Sequence, residues 1–105
     1  MGVIQGVLKE ELENSVHLQK GYERELAKIP KGSLIKKKIK GHQYYYLVLR
    51  KNGKVKFQYL GKLSNKKIQE WEEYKKLRAK YLQLYRQAKQ RIKFIQRALR
   101  GKESV

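Results

Sequence analysis

The hydrophobic positions at the start of the chain recur every three or four residues, the pattern of a helix that buries one face. They are Ile4, Leu8, Leu12, Ser15, Leu18, Tyr22, Leu26 and Ile29. Gly21 lies inside this run and weakens the helix, so Gly21 is where a break or kink would occur. Pro30 disfavours a helical conformation in the residue before it, and the pattern therefore predicts a helix over residues 3–28.

The hydrophobic pattern then changes to a period of two, which predicts strands. Two glycine turns divide this region: Gly41-His42 suits a two-residue type II′ turn, and Asn52-Gly53 suits a type I′ turn. The sequence therefore predicts a three-stranded antiparallel β-meander over residues 33–60, with strands near residues 33–40, 43–51 and 54–60.

Counting back from the two turns gives the strand register. Ile39 is predicted to face Tyr44 across the first turn, and Tyr46 is predicted to face Tyr59 across the second. A slip of one residue would exchange the two faces of the sheet, so this register depends on the turn types.

The register divides the side chains of the meander into two faces. The first face is mostly apolar and aromatic: Ile35, Ile39, Tyr44, Tyr46, Val48, Val55, Phe57 and Tyr59. Lys37 and Arg50 are the exceptions on this face. We expect this face, which includes Tyr44 and Tyr46, to form the core. The second face holds Leu34, Lys36, Lys38, Tyr45, Leu47, Leu49, Lys54, Lys56, Gln58 and Leu60.

The last segment is predicted to be one long helix over residues 64–100, because Ser64 is a good N-cap and no helix breaker follows before Gly101. Its early apolar positions suit packing on the meander, with Trp71 as the anchor: Ile68, Trp71, Tyr74 and Leu77. Its later apolar positions alternate spacings of four and three, as in a coiled-coil seam: Tyr81, Tyr85, Ala88, Ile92, Ile95 and Leu99.

The first helix has about the right length to fill the other half of this seam, and self-association is the competing use of the seam. The predicted fold is α+β, a single domain over residues 1–105 with an N-terminal helix, a three-stranded antiparallel β-meander and a long C-terminal helix.

The charge of the chain is strongly positive and unevenly spread. The chain has 27 Lys and Arg residues against nine acidic residues, all of them Glu. Residues 1–30 have a net charge of −1, residues 31–62 carry ten bases and no acid, and residues 63–105 have a net charge of +9. Such a distribution points to a nucleic acid, an anionic membrane or an acidic protein as the partner.

The sequence offers little for catalysis or metal binding. It contains no Cys and no Asp, and neither His17 nor His42 has the neighbours in sequence that a metal site needs. Its glycines mark turns rather than a phosphate-binding loop. We therefore expect no enzyme activity, no cofactor, no metal and no small-molecule substrate. No apolar run is long enough to cross a bilayer, so a cytoplasmic location away from the membrane is expected.

The second face of the meander carries candidate nucleic-acid-binding residues. They are Lys36, Lys38, Tyr45, Lys54, Lys56 and Gln58. We expect Lys36 and Lys38 to lie beside Lys54 and Lys56 across the strands, as one patch. Side-by-side like charges are mildly destabilising in a sheet, and a polyanion would compensate for them. Lysines neutralise phosphates, Tyr45 can stack on a base, and a strand ribbon fits the DNA major groove. The alternative is a solvated lysine face that protects a sheet edge from aggregation.

The long helix carries a second set of candidate phosphate contacts: Arg78, Arg86, Lys89, Lys93 and Arg97. Only Glu103 follows Glu73 to balance them, which favours contact with phosphate. The alternative is the ordinary charged exterior of a long helix.

The stretch IPKGSLIKKKIKGHQYYYLVLRKNGKVKFQYLGKLS, residues 29–64, resembles three groups of proteins. Its GSL, YYYL and YLGK motifs are similar to the core of a group of small basic prokaryotic proteins, which implies no particular activity. The same stretch resembles the N-terminal hairpin of certain transposases and, more loosely, the arm-site DNA-binding domain of tyrosine recombinases. Both of these resemblances imply DNA binding through the sheet, without catalysis by this module.

No catalytic domain follows the hairpin in this chain, so the resemblance implies a binding part or an accessory of a mobile element or phage. We therefore expect a non-catalytic nucleic-acid-binding protein, with duplex DNA favoured over RNA. The alternative is a protein-interaction module or a ribonucleoprotein component, in which the helical seam docks a partner or a second copy of the chain.

Overall fold

The computed structural model describes residues 2–103. The elements in chain order are α1 (Gly2–Lys28), β1 (Ser33–Ile39), β2 (His42–Lys51), β3 (Lys54–Gly61) and α2 (Asn65–Glu103). The strands form one antiparallel sheet in the order β1-β2-β3. The predicted α+β fold, with a helix on each side of the meander in sequence, is confirmed.

The chain forms two compact units that share the long helix α2. One unit contains α1 and the part of α2 that begins at Arg78, and the other is Ile29–Leu77. The prediction of a single domain stays a prediction, and each unit is described by itself below.

Small side chains of α1 and α2 lie at one cleft in the helical unit. Ser15 of α1 is only 1% exposed, and Ala88 and Ile95 of α2 are also buried. Ser15 and Ala88 line the same small cleft, which places α1 against the predicted seam of α2. Small residues at such a contact let two helices approach closely. α1 therefore fills the half of the seam that a second copy would otherwise occupy.

Contacts between α1 and α2 continue on both sides of this point. The rings of Tyr22 and Tyr81 lie 6.3 Å apart, and Arg91 forms an ion pair with Glu11. α1 is continuous past Gly21, so the predicted break does not occur. Packing of an amphipathic face outweighs the low helix propensity of one glycine, which explains why the helix continues.

The two turns of the sheet are both of type I′. Asn52-Gly53 forms the predicted turn, with positive φ at both residues, 52° and 75°. The other turn is Lys40-Gly41, with φ of 52° and 80°, so the prediction of a type II′ turn at Gly41-His42 is wrong. Gly41 suits either turn type, because a glycine is favoured at the second position of type I′ and at the first position of type II′.

The change of turn shifts the β1–β2 register by two residues. Ile39 faces His42 instead of Tyr44, and Leu34 comes to lie opposite Leu47. A shift of two leaves every side chain on its predicted face, because alternate residues of a strand point the same way. The membership of the two faces is therefore as the sequence predicts.

The burial of the two faces is the reverse of the prediction. Tyr45 and Leu47, on the second face, are 7% and 8% exposed, whereas Phe57 and Tyr59, on the first face, are 64% and 58% exposed. The expectation that the first face forms the core is wrong. Alternation shows which side chains share a face, but the face that becomes buried is decided by what packs on it.

The buried face lies in the same unit as the first turns of α2. Ile29 is buried, and Ile68, Trp71 and Tyr74 are half-buried. Trp71 contacts Tyr74 edge to face, with 5.5 Å between the ring centroids. These side chains and the buried side chains of the sheet are the apolar residues of this unit that are withdrawn from solvent.

Gly32 passes very close to the buried face just before β1. A Cβ atom at this position would lie 2.8 Å from Leu47 Cδ1 and 3.0 Å from Leu49 Cδ2, and the φ of Gly32 is +114°. Only glycine satisfies both the close approach and the backbone conformation. The glycine of the GSL motif is therefore explained by packing.

The start of α2 is capped as predicted. The backbone N–H of Lys67 donates to Ser64 Oγ at 3.2 Å, and the N–H of Ile68 donates to the Ser64 carbonyl at 3.0 Å. A serine at this position satisfies a backbone donor that the first turn of a helix leaves unpaired.

Candidate nucleic-acid interface

The four lysines predicted as one patch are exposed but lie at opposite ends of the sheet. Lys36 and Lys38 of β1 are near the Lys40-Gly41 turn, whereas Lys54 and Lys56 of β3 are near the second turn. Between them the same face carries buried and half-buried apolar side chains. The prediction that these lysines lie beside one another is therefore wrong, and they cannot form one continuous site.

Tyr45 is placed in the interior and not among the lysines. With 7% of its surface exposed, its ring has no face free for stacking on a base. The structure thus places Tyr45, and not Tyr44 and Tyr46, in the interior, and a ligand role for Tyr45 stays a prediction. Gln58 is exposed on the Tyr45 side of the sheet, opposite Leu47.

The open face of the sheet instead carries a cluster of rings, which we call the aromatic face: His42, Tyr44, Tyr46, Phe57 and Tyr59. The ring centroids of Tyr46 and Tyr59 are 5.2 Å apart, and those of Tyr44 and Tyr59 are 6.3 Å apart. His42 continues the cluster at 6.5 Å from Tyr44. His42, Phe57 and Tyr59 are exposed, and Tyr44 and Tyr46 are half-buried. A ring cluster with this much exposure is unusual unless something binds to it.

A β-bulge follows Tyr59 on β3. Tyr45 pairs with Gly61 while Tyr46 pairs with Tyr59, so Leu60 is an extra residue on β3. Gly61 has a φ of +77°, as expected for the glycine of such a bulge. Tyr59 lies directly opposite Tyr46 because the Asn52-Gly53 turn sets the register up to this pair, and cross-strand rings come into contact there.

Two cations belong to the same face as the rings. Lys37 Nζ lies 5.4 Å from the centroid of the Tyr46 ring, and Arg50 is exposed further along β2. No acidic residue occurs between residues 31 and 62, so no carboxylate of this segment competes for these cations. The face combines π surfaces with positive charge, which suits a ligand that has both rings and phosphates.

The tyrosine hydroxyls of this face are free to bind a ligand. Among residues 2–103, the hydroxyls of Tyr44, Tyr46 and Tyr59 have no hydrogen-bond partner in the protein. Each hydroxyl can both donate and accept. The aromatic face therefore offers polar groups as well as rings.

The bases predicted on the long helix occupy one exposed stripe, with one exception. We call Arg86, Lys89, Lys93, Arg97 and Arg100 the basic stripe, because their spacings of three and four place them on one side of α2. All five are exposed. Arg78 is half-buried and interacts within the protein, so it contributes less to this surface.

The sequence contained one signal for the aromatic face. Lys37 and Arg50 fall on the face that alternation predicts to be the core, and a core rarely holds two unpaired cations. These two cations indicate that the face meets solvent. The apolar and aromatic side chains on the same face are more numerous and indicate a core, so the pattern as a whole predicts burial.

The described part of the chain, residues 2–103, has no group of three His, Cys, Asp or Glu residues that could hold a metal ion. Within the same residues, no helix is both long and apolar enough to cross a membrane.

One family model matches the chain, over residues 4–70, and its description is Domain of unknown function (DUF6788). The match spans α1, the whole sheet and the start of α2, so it includes the aromatic face and ends before the basic stripe. Neither a curated protein nor a solved structure matches the chain significantly.

Proposed function

The chain belongs to the DUF6788 family, and we propose that it is a non-catalytic nucleic-acid-binding protein. The observation that carries the proposal is the exposed aromatic face, with Lys37 and Arg50 beside it in a segment that has no acid. Rings stack on bases and cations neutralise phosphates, so one surface meets both parts of a nucleic acid.

Other kinds of polyanion would contact only part of this surface. An acidic protein or an anionic membrane would pair with the cations, but a membrane has no flat π surface for the rings, and an acidic protein does not repeat one along its length as a nucleic acid does. Stacking of a base on an aromatic side chain contributes about 1–3 kcal/mol, so leaving the rings unused would forfeit much of the available affinity. The basic stripe of α2 supports the proposal as a second source of phosphate contacts.

We place this function in the cytoplasm and, following the resemblance of the hairpin, in an accessory of a mobile element or phage. The preference for duplex DNA rests on that resemblance. The burial of Tyr45 and the separation of the lysines remove the sheet surface that was expected to enter the major groove.

The test compares charge reversals on the two faces of the same sheet. We expect Lys37→Glu/Arg50→Glu to weaken binding to labelled RNA and DNA strands by about tenfold or more, because it reverses the cations beside the rings. The matched control is Lys36→Glu/Lys56→Glu, which makes the same change in net charge on the opposite face and should weaken binding less. Fluorescence anisotropy measures both.

The salt dependence of the wild-type protein completes this test. Affinity should fall steeply between about 50 and about 300 mM salt, because each phosphate contact releases counterions. A flat affinity across this range would contradict the proposal. An equal loss in the two double variants would mean that the aromatic face is not the binding surface.

A protein-interaction role is the second candidate, and exposed apolar side chains on the helical unit favour it. Val3, Val7 and Phe94 are all strongly exposed. The seam of α2 no longer supports this role, because α1 packs along it. Concentration-dependent sedimentation of the wild type, abolished by Phe94→Ser, would favour this candidate.

A further inference from the structure

We propose that the aromatic face takes a single-stranded RNA, whose unpaired bases stack on Tyr44, Tyr46 and Tyr59 and whose ribose 2′-hydroxyls bond to the tyrosine hydroxyls. This inference rests on the proposed function, and it names the class of nucleic acid. It concerns only the sheet unit, Ile29–Leu77.

The arrangement of the rings points to unpaired bases. The Tyr46 and Tyr59 planes are inclined by 55°, and those of Tyr44 and Tyr59 by 39°, so the rings do not stack face to face on one another. Tyr59 is 58% exposed, which leaves ring surface open to a ligand. In a duplex both faces of each base are covered by neighbouring bases, so only an unpaired base can stack on such rings.

The cations are placed to follow a strand along β2. Lys37 Nζ lies over the Tyr46 ring, and Arg50 lies four residues beyond Tyr46 on the same face. At about 3.3 Å per residue this separation is about 13 Å, enough for a short run of nucleotides. The rings lie beside these two cations, so stacked bases and neutralised phosphates can alternate along one path.

The hydroxyls favour RNA over DNA. Tyr44, Tyr46 and Tyr59 each have a hydroxyl with no partner among residues 2–103, on the face where the bases would stack. The 2′-hydroxyl is the group that distinguishes RNA from DNA, and it both donates and accepts hydrogen bonds. Three free hydroxyls beside a stacked strand give RNA contacts that DNA lacks.

The experiment measures the affinities of the full chain for three matched probes at one salt concentration: single-stranded RNA, single-stranded DNA of the same sequence, and duplex RNA. We expect the wild type to bind the RNA strand about tenfold more tightly than the duplex, and a few-fold more tightly than the DNA strand. Circular dichroism and thermal unfolding check that every variant is folded.

Two double variants separate the rings from the hydroxyls. Tyr46→Leu/Tyr59→Leu keeps apolar side chains but removes both rings, so affinity for single strands should fall about tenfold or more while duplex affinity changes little. Tyr46→Phe/Tyr59→Phe keeps the rings, so it should retain the preference for single strands and lose most of the preference for RNA over DNA.

The outcomes distinguish this inference from the proposed function. Equal binding of single strands and duplex, unaffected by the leucine variant, overturns the inference and leaves nucleic-acid binding standing. Equal affinity of the wild type for the RNA and DNA strands overturns the assignment to RNA. If no probe binds, or if sedimentation shows a second copy covering the aromatic face, the inference is overturned together with the proposed function.

Discussion

Three successive tyrosines have different environments in this protein. Tyr45 is 7% exposed on the buried face, while Tyr44 and Tyr46 are half-buried on the open face with Tyr59. Alternation along β2 predicts that Tyr45 points away from its neighbours. It does not predict which side of the strand is covered, and that determines which tyrosines can reach a ligand.

Gly32 gives a prediction at the scale of one residue. Gly32→Ala should lower the free energy of unfolding by about 3 kcal/mol, because the new Cβ meets Leu47 and Leu49 and the backbone is left-handed. The matched control is Gly41→Ala, which has a φ of +80° but open space around it and should lose about 1 kcal/mol. Urea unfolding followed by circular dichroism measures both, and equal losses would contradict the packing argument.

At the scale of the element, short sequence motifs predict the caps and turns that depend on neighbouring residues alone. Ser64 caps α2 and Asn52-Gly53 forms its turn, because each depends on residues within one turn of the chain. The Lys40-Gly41 turn and the bulge at Leu60 were missed. Both depend on how two strands pair over their whole length, and a local motif does not contain that information.

The continuity of α1 gives a prediction about a whole helix. Gly21→Ala should raise the free energy of unfolding by about 1 kcal/mol, since the helix passes through this position and alanine has the higher helix propensity. A Cβ there meets only Arg24 Nη2, at 3.9 Å, which is ordinary contact. Thermal unfolding measures the change, and Gly6→Ala, nearer the end of α1, should give a smaller gain. A loss of stability in Gly21→Ala would contradict the helix as described.

At the scale of the whole molecule, the excess of positive charge lies outside the N-terminal helix. Residues 1–30 are nearly neutral and α1 packs on α2, whereas the segments with the aromatic face and the basic stripe hold the excess of bases. Net charge indicates the kind of partner but not the surface that binds it. Which surface can bind a partner depends on which side chains are exposed, and only the folded chain determines that.

The basic stripe should contribute affinity for nucleic acid without favouring single strands over duplex. Lys89→Glu/Lys93→Glu should weaken binding to single strands and duplex by similar factors and reduce the salt slope, because in the proposed complex these side chains would contact only phosphates. Lys9→Glu/Lys20→Glu, with the same change in charge on exposed positions of α1, is the control and should change the slope less. Titrations at several salt concentrations measure both. A change in the preference for single strands would contradict a role limited to phosphates.

The sequence by itself determined the order of the elements, the cap at Ser64 and the membership of the two sheet faces. These depend on propensities and periodicities within one segment. Only the tertiary structure decided that Tyr45 and Leu47, on the second face, are buried and that the aromatic face is open. Both faces are apolar enough to form a core, so the face that becomes buried depends on which one other elements cover.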